Sequence, residues 1–437
     1  MPLERRGRIA FVEEIPFGTA LSVRRWKLTN GLDLLILPDR SAPVVSYQTW
    51  FRVGSRHERP GKTGLAHFFE HLMFKETKNV GPGDFDRMLE SVGGETNAAT
   101  WTDWTAYYEN VPKREIELAV RLEADRMVNL VLQEPQVESE REVVINERKF
   151  RVEDDVEGAT NEKLYATAYK RHPYRWPTIG WMKDIVGYTV DDCLAFYRTY
   201  YAPNNATVVV AGDVGEGAVL DLIVEHYGRI PRSRLPTENG ATEPVQRAER
   251  AIELEQPTDT EKLALGWVGP EFGTRDYAVM TVLNDLLTGG RSSRLYRALV
   301  SEGEIASEVH GSLAPFHDPG LFELWANARP GTSSDDLRAV VESELAALRR
   351  DRPSGEELDK AKNRLELSFL HGMETVSGKA DQVGFHSAVT GNLTGIFLQL
   401  EEWRSVTPDD VRAAAGRFLR NDRRTRISVL PAKGKKS

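Results

Sequence analysis

One short pattern occurs twice in this chain, half its length apart. Thr189-Val190-Asp191-Asp192 precedes a helical run and the strand-like Ala206 to Ala211; Thr407-Pro408-Asp409-Asp410, 218 residues later, precedes a helical run and the strand-like Arg424 to Leu430. A threonine followed by acids is ordinary capping chemistry: the hydroxyl accepts an amide of the first turn, and carboxylates suit the positive end of the helix dipole. The shared order of cap, helix and strand at a half-length offset is what points to a duplicated unit. At 437 residues the chain is also too long for a single ordinary core. Residues 229–250 lose apolar periodicity and collect Pro, Arg and Glu, the composition of a linker. The expected fold class is therefore α+β, with two homologous domains, each an antiparallel-rich sheet with helices packed on it. Their expected bounds are 1–228 and 251–437.

Local signals fill in the first half. Arg25 to Thr29 and Leu32 to Leu37 flank Asn30-Gly31, a pair suited to a tight hairpin turn. Pro43 to Val53 reads as a strand, and Leu65, Phe68, Phe69, Leu72 and Met73 at helical spacing follow Thr63, placed as an N-cap. Phe85 to Val92 predicts a short helix stopped by Gly93-Gly94, and Thr96 to Tyr108, rich in Thr, Trp and Tyr, predicts a strand. Two helices are expected over Pro112 to Leu132 and Pro135 to Arg151.

Composition excludes several functions. The formal charge of -9 opposes a general nucleic-acid role, and no apolar run is long enough to span a membrane. The N-terminus carries basic residues without an apolar stretch behind them. The expected location is the cytoplasm, or the periplasm if a signal peptide has been removed. Lys433 to Lys436 reads as a solvated tail. With Cys193 the single cysteine, neither a disulfide framework nor a cysteine cluster for metal is available. Any metal here must be held by His, Asp or Glu.

Such donors occur in Gly64-Leu65-Ala66-His67-Phe68-Phe69-Glu70-His71-Leu72. On a helix, His67 and His71 stand one turn apart on one face, where both imidazoles reach a single ion, and Glu70 shares that face. Two neutral imidazoles suit Zn²⁺, and a carboxylate beside the metal's water can serve as general base. His-x-x-Glu-His is the inverse of the commoner His-Glu-x-x-His zinc motif. A catalytic zinc needs a third protein ligand. Glu140 and Glu147, seven residues apart on one face of a later helix, are candidates for that ligand and for a carboxylate supporting the site, against the alternative of simple surface charge.

His67-Phe68-Phe69-Glu70-His71 with Glu140 and Glu147 resembles the pitrilysin/insulinase family of zinc peptidases, specifically the short-chain branch that includes the mitochondrial processing peptidase β subunit. The resemblance continues through Gly93-Gly94-Glu95-Thr96-Asn97-Ala98-Ala99-Thr100, through Tyr200-Tyr201-Ala202-Pro203-Asn204-Asn205-Ala206, and into Gly289-Gly290-Arg291-Ser292-Ser293-Arg294-Leu295. It implies one Zn²⁺ per chain on His67, His71 and Glu147, Glu70 as general base, and Glu140 as a supporting carboxylate. It also implies two similar α+β domains forming half of a clamshell. The substrate it implies is an extended peptide, added as a strand to the edge at Thr96 to Thr100 and held by Asn97, Ala98 and Ala99.

The sequence departs from that family at one place. Active single-chain members carry an Arg and a Tyr seven residues apart in the second half, directed at the bound substrate. Val300 and Ser307 stand at those positions here. Arg297, one turn earlier, is the nearest stand-in for the Arg, and nothing supplies the Tyr. The expectation is a zinc metalloendopeptidase subunit whose partner is a homologous zinc-free chain carrying the pair, with a homodimer as the other arrangement. A presequence-processing subunit and a non-catalytic core subunit of a larger complex are the alternative readings. Gly289-Gly290-Arg291 lacks a phosphate-loop lysine at the required spacing and is read as a helix-entry loop.

Overall fold

The computed structural model describes residues 7–237 and 241–432. The first six residues and the Lys433 to Lys436 tail lie outside them. Two sheets organise the chain. The first comprises β1 (Ile9–Phe17), β2 (Leu21–Leu28), β3 (Asp33–Pro38), β4 (Val44–Phe51), β5 (Glu95–Thr100), β6 (Thr105–Pro112) and β7 (Ala206–Gly212), in the order β1-β2-β3-β7-β4-β6-β5. The second comprises β8 (Arg250–Gln256), β9 (Lys262–Val268), β10 (Ala306–Leu313), β11 (Leu321–Ala328) and β12 (Arg424–Pro431), in the order β10-β11-β9-β12-β8. Only β3 with β7 and β8 with β12 run parallel. The α+β class with antiparallel-rich sheets is thus what the chain adopts.

The helices that matter below are α1 (Leu65–Leu72), α2 (Asp84–Ser91), α3 (Ile116–Asn129), α4 (Glu134–Arg148), α5 (Val156–Ala168), α6 (Val190–Tyr200), α7 (Arg275–Thr288), α8 (Val376–Val389) and α9 (Pro408–Phe418). Thr189 and Thr407 cap α6 and α9 alike, each in a reciprocal box with the aspartate three residues on. The following strands, β7 and β12, then take equivalent central places. No helix among the described residues is long and apolar enough to cross a membrane.

In the first sheet β7 is buried along its whole length, as suits a central strand covered on both faces. On one face α3 reaches β4 through Glu123, which accepts from Thr49 Oγ1 at 2.7 Å. On the other lies α8, where Asp381 accepts from Gln48 Nε2 at 2.7 Å. In the second sheet α5 covers β9 and β12, setting Leu164 and Ala168 among Ala264, Trp325, Ile427 and Val429.

These pairings differ from the expected division at 228. The compact units are 7–147 with 177–237 and 371–397, and 148–176 with 241–370 and 398–432. The segment bearing α5 therefore groups with the second sheet, and the segment bearing α8 with the first. A linker signal in composition marks where the chain is polar and extended, whereas membership of a core depends on which sheet face an apolar helix covers.

Two local expectations are also corrected. Thr96 to Tyr108 is not one strand but a hairpin, β5 and β6 joined through 101–104. Its β-prone Trp and Thr residues concealed a turn held by backbone contacts from Ser55 and Arg56. Thr63 does not cap α1: the N-cap is Gly64, and Thr63 instead binds Asp184.

Candidate metal centre

The helix carrying His67, Glu70 and His71 starts under tight constraint. Gly64 has φ 94°, the left-handed region that favours glycine, and a Cβ there would lie 2.4 Å from the Ile179 carbonyl oxygen. The first-turn amides are satisfied by Glu58, whose carboxylate accepts from Gly64 N at 2.6 Å and Ala66 N at 2.7 Å. Burial pushes the Glu58 carboxyl well above its usual range, against those two amide bonds. Leu65, Ala66, Phe68, Phe69 and Leu72 are buried, with Phe69 stacked on Phe196 at 5.2 Å. From the strand side, Tyr107 Oη donates to the Phe69 carbonyl at 3.2 Å. An apolar face locked this firmly leaves the opposite face, with its three polar side chains, in one orientation.

Helix α4 completes the group. Glu147 Oε2 lies 3.6 Å from His67 Nε2 and 3.3 Å from His71 Nε2. Among the described residues, His67, His71 and Glu147 form the single group of three metal-type donors, with all ligand atoms within 4.8 Å of one another. Bonds of ~2.0–2.1 Å to a tetrahedral zinc place neighbouring donor atoms about 3.3 Å apart. The observed spacings about Glu147 fit that ion, and the donor chemistry of two imidazoles and one carboxylate fits it as well.

Glu140, two turns earlier on α4, is buried to 3% exposure. It sits 2.9 Å from His71 Nδ1 and 2.5 Å from Lys75 Nζ. This is the carboxylate-to-imidazole contact that orients a ligating histidine. Burial opposes its charge, but His71 and Lys75 outweigh that and hold Glu140 below the usual carboxylate range. For His71, burial likewise disfavours charge, and the bonds to Glu140 and Glu147 win, raising it to about 9. A position that draws a proton so strongly is one that favours a cation.

Glu70 faces the same side, next to the end of β5. Burial raises its carboxyl, with Thr100 and the charge of His71 pulling the other way and Glu147 adding to the rise. β5 pairs with β6 alone, so its outer edge is free of any strand among the described residues. Asn97 and Ala99 are exposed on it and Ala98 half-buried, and Asn97 Oδ1 accepts from Ala98 N at 2.8 Å. The structure thus gathers His67, Glu70, His71, Glu140 and Glu147, and sets Asn97, Ala98 and Ala99 on the neighbouring edge.

Sequence reasoning missed Glu58, Lys75 and Thr100, which in the folded chain meet the Gly64 and Ala66 amides, Glu140 and Glu70. It also missed a buried ion cluster under β6. Arg126 pairs with Glu109 at 3.0 Å and with Glu123, while its guanidinium lies over Phe85 at 4.4 Å and Tyr107 at 4.5 Å. Burial and the neighbouring Glu123 charge push Glu109 well above its usual value. Glu123 and Arg126 read as charge on a helix surface and Glu109 as a polar strand residue, and no local signal distinguishes this cluster.

Other residues singled out from sequence lie elsewhere. In the second unit Val300 is buried, Ser307 Oγ donates to the Asn327 carbonyl at 3.2 Å, and Arg297 is bound to Glu302 at 2.7 Å. Gly289 and Gly290 lead into the helical turn Tyr296–Ser301. His172 is built into the second unit against Asp318 at 3.0 Å. Burial pushes the Cys193 thiol up to about 12, the opposite of an activated nucleophile.

Residues 34–180 match the family model described as Insulinase (Peptidase family M16), and residues 187–365 the model described as Peptidase M16 inactive domain. Zinc protease PqqE of Helicobacter pylori is 30% identical over 408 residues, 92% of either chain. An uncharacterized zinc protease of Mycobacterium bovis is 31% identical over 419 residues, 95% of either chain. Among solved structures, a protease from Helicobacter pylori superposes with a TM-score of 0.89 at 29% identity, covering 97% of this chain and 100% of that one. The periplasmic protease PqqL from Escherichia coli shares the fold at TM-score 0.77 and 19% identity, this chain spanning 50% of its length. Taken with the donor set on α1 and α4, these likenesses make the chain a member of the M16, or insulinase, family of peptidases.

Proposed function

We propose that this chain is the zinc-bearing subunit of a metalloendopeptidase that hydrolyses extended, unstructured peptides. The observation that carries the reading is the convergence of His67, His71 and Glu147 within 4.8 Å, beside Glu70 and a free strand edge. His67, His71 and Glu147 would hold Zn²⁺, which when bound supplies a Lewis acid toward the scissile carbonyl and toward water. Glu70 accepts the proton of the attacking water and returns it to the leaving amine nitrogen. Glu140 orients His71 and is itself held by Lys75. The edge of β5 receives the peptide backbone, so recognition is broad in sequence and strict in requiring an extended chain.

The Arg and Tyr donors of active single-chain relatives have no counterpart at Val300 and Ser307. Loss of one donor to a developing oxyanion costs on the order of 100- to 1000-fold in rate. The reading therefore includes a homologous partner lacking zinc but carrying that pair. Glu70→Gln should retain stoichiometric zinc while peptide cleavage falls by about 100- to 10,000-fold. Unchanged cleavage would remove Glu70 from the role of base. Assayed alone, the chain should cleave unstructured peptides far more slowly than when copurified with its homologue; equal rates would sink the heterodimer and favour a self-sufficient homodimer.

A further inference from the structure

Trp101 is a large aromatic left 48% exposed one residue beyond Thr100, which neighbours Glu70. It is not a loose loop residue. Its amide donates to the Trp104 carbonyl at 2.9 Å, and its own carbonyl accepts from Ser55 N at 3.3 Å. Arg56 N donates to the Thr102 carbonyl at 2.9 Å, and the Arg56 guanidinium pairs with the buried Asp103 at 3.3 Å. Gly54 is needed beneath this turn, since a Cβ there would lie 2.3 Å from the Trp101 carbonyl oxygen. The indole stacks on Trp104 with ring centres 6.5 Å apart and planes 13° from parallel. Trp104 in turn rests on Trp50 at 4.7 Å.

Strand alternation gives this aromatic its place. Thr96 and Thr100 face the helical layer, where they meet Glu109 and Glu70. Asn97 and Ala99 face the other way, and Ala99 is opposite Ala106 on β6, itself opposite Trp50 on β4. Trp101, the first residue past β5, reaches the same face through its stack on Trp104 and, beyond it, Trp50. A peptide strand added to the β5 edge would set alternate side chains on that face, where Ala99 leaves room and Trp101 forms a rigid wall. One residue of strand is about 3.3 Å, so the side chain meeting Trp101 belongs within two residues of the bond beside Glu70.

We infer that Trp101 is a specificity-determining residue, forming with Ala99 a subsite for a bulky apolar or aromatic side chain within two residues of the scissile bond. The inference rests on the peptidase reading above, and its test is arranged so that the two fail separately. Peptides differing only in Phe or Ser across those positions would be titrated against the full-length Glu70→Gln protein, with and without Trp101→Ala, and cleaved by the zinc-loaded Glu70 counterparts. Expected is a drop of about tenfold in both affinity and kcat/KM for the Phe peptide in Trp101→Ala, with the Ser peptide within twofold and Trp101→Phe near the parent. Equal losses for both peptides, or no loss for either, would overturn the subsite. So would a change of oligomeric state in Trp101→Ala without a change in the Phe-to-Ser ratio, which would make the indole a contact between copies of the chain. Failure of the peptidase reading alone would leave the binding preference intact while the parent protein cleaves neither peptide.

Discussion

The strand order β3-β7-β4-β6-β5 of the first sheet repeats as β8-β12-β9-β11-β10 in the second, with the same single parallel pair in each. The chemistry does not repeat. Between β4 and β5 the chain inserts α1, short, half-polar and opened by a left-handed glycine; between β9 and β10 it inserts α7, whose buried face is apolar from Tyr277 to Leu287. One copy gives up helix length and a simple cap to turn His67, Glu70 and His71 outward. The other keeps Thr274 as a plain cap on Tyr277 N and fills the same position with core. The Insulinase model covers α1 and α4, and the model described as Peptidase M16 inactive domain covers α7. The topology sets where a site can stand, and the residues grafted on α1 and α4 decide whether there is one.

The sharpest way to break this contrast is to count zinc. Glu147→Gln should abolish stoichiometric zinc and the activity that depends on it, while His310→Ala, on the second sheet's equivalent edge, should leave both unchanged; zinc retained in the first or lost in the second would reverse the assignment. Next in size is the pair of helix starts. Gly64→Ala must adopt a left-handed backbone against the Ile179 carbonyl and should cost about 3 kcal/mol in denaturant unfolding. Thr274→Ala, at the start of α7, should cost only about 1 kcal/mol. Similar losses at both sites would show that α1 is no more constrained than its counterpart.

The smallest effect concerns buried carboxylates. In the first unit Glu109 and Glu123 share Arg126, whereas Glu323 in the second is hydrogen-bonded, among the described residues, by the neutral partners Tyr165 Oη at 2.6 Å and Trp325 Nε1 at 2.9 Å. Burial raises the Glu323 carboxyl, against those two hydrogen bonds. A carboxyl raised in the folded state supports the fold while protonated, and loses that contribution as pH rises above the ordinary glutamate value of ~4.3. The melting temperature of Glu323→Gln relative to the parent should therefore climb as pH rises above about 4. A difference that stays level across that range would show that Glu323 titrates normally.

Much of the site was legible because its signals are local or periodic. His67, Glu70 and His71 lie within two turns of one helix, Glu140 and Glu147 within another, and the repeated capping box is four residues long. The features that escaped depend on contacts across long stretches of chain. Thr63 looked like a cap, yet Glu58 reaches α1 from a preceding turn because Gly64 brings the backbone against Gly180. The residues of Trp101 to Trp104 favour strand, yet amides of Ser55 and Arg56 bend them into a turn.

By itself, the order of residues determined the kinds of element, their duplication, the donor types and their periodic spacing, because each of these follows from backbone geometry within a few turns. Only the tertiary structure decided that α4 meets α1 so that Glu147 rather than Glu140 faces both imidazoles. It alone decided that α5 and α8 join the sheets they do, and that Arg126 is buried with two glutamates. Those choices are made by which apolar faces exclude water together, and that free energy belongs to surfaces distant in sequence.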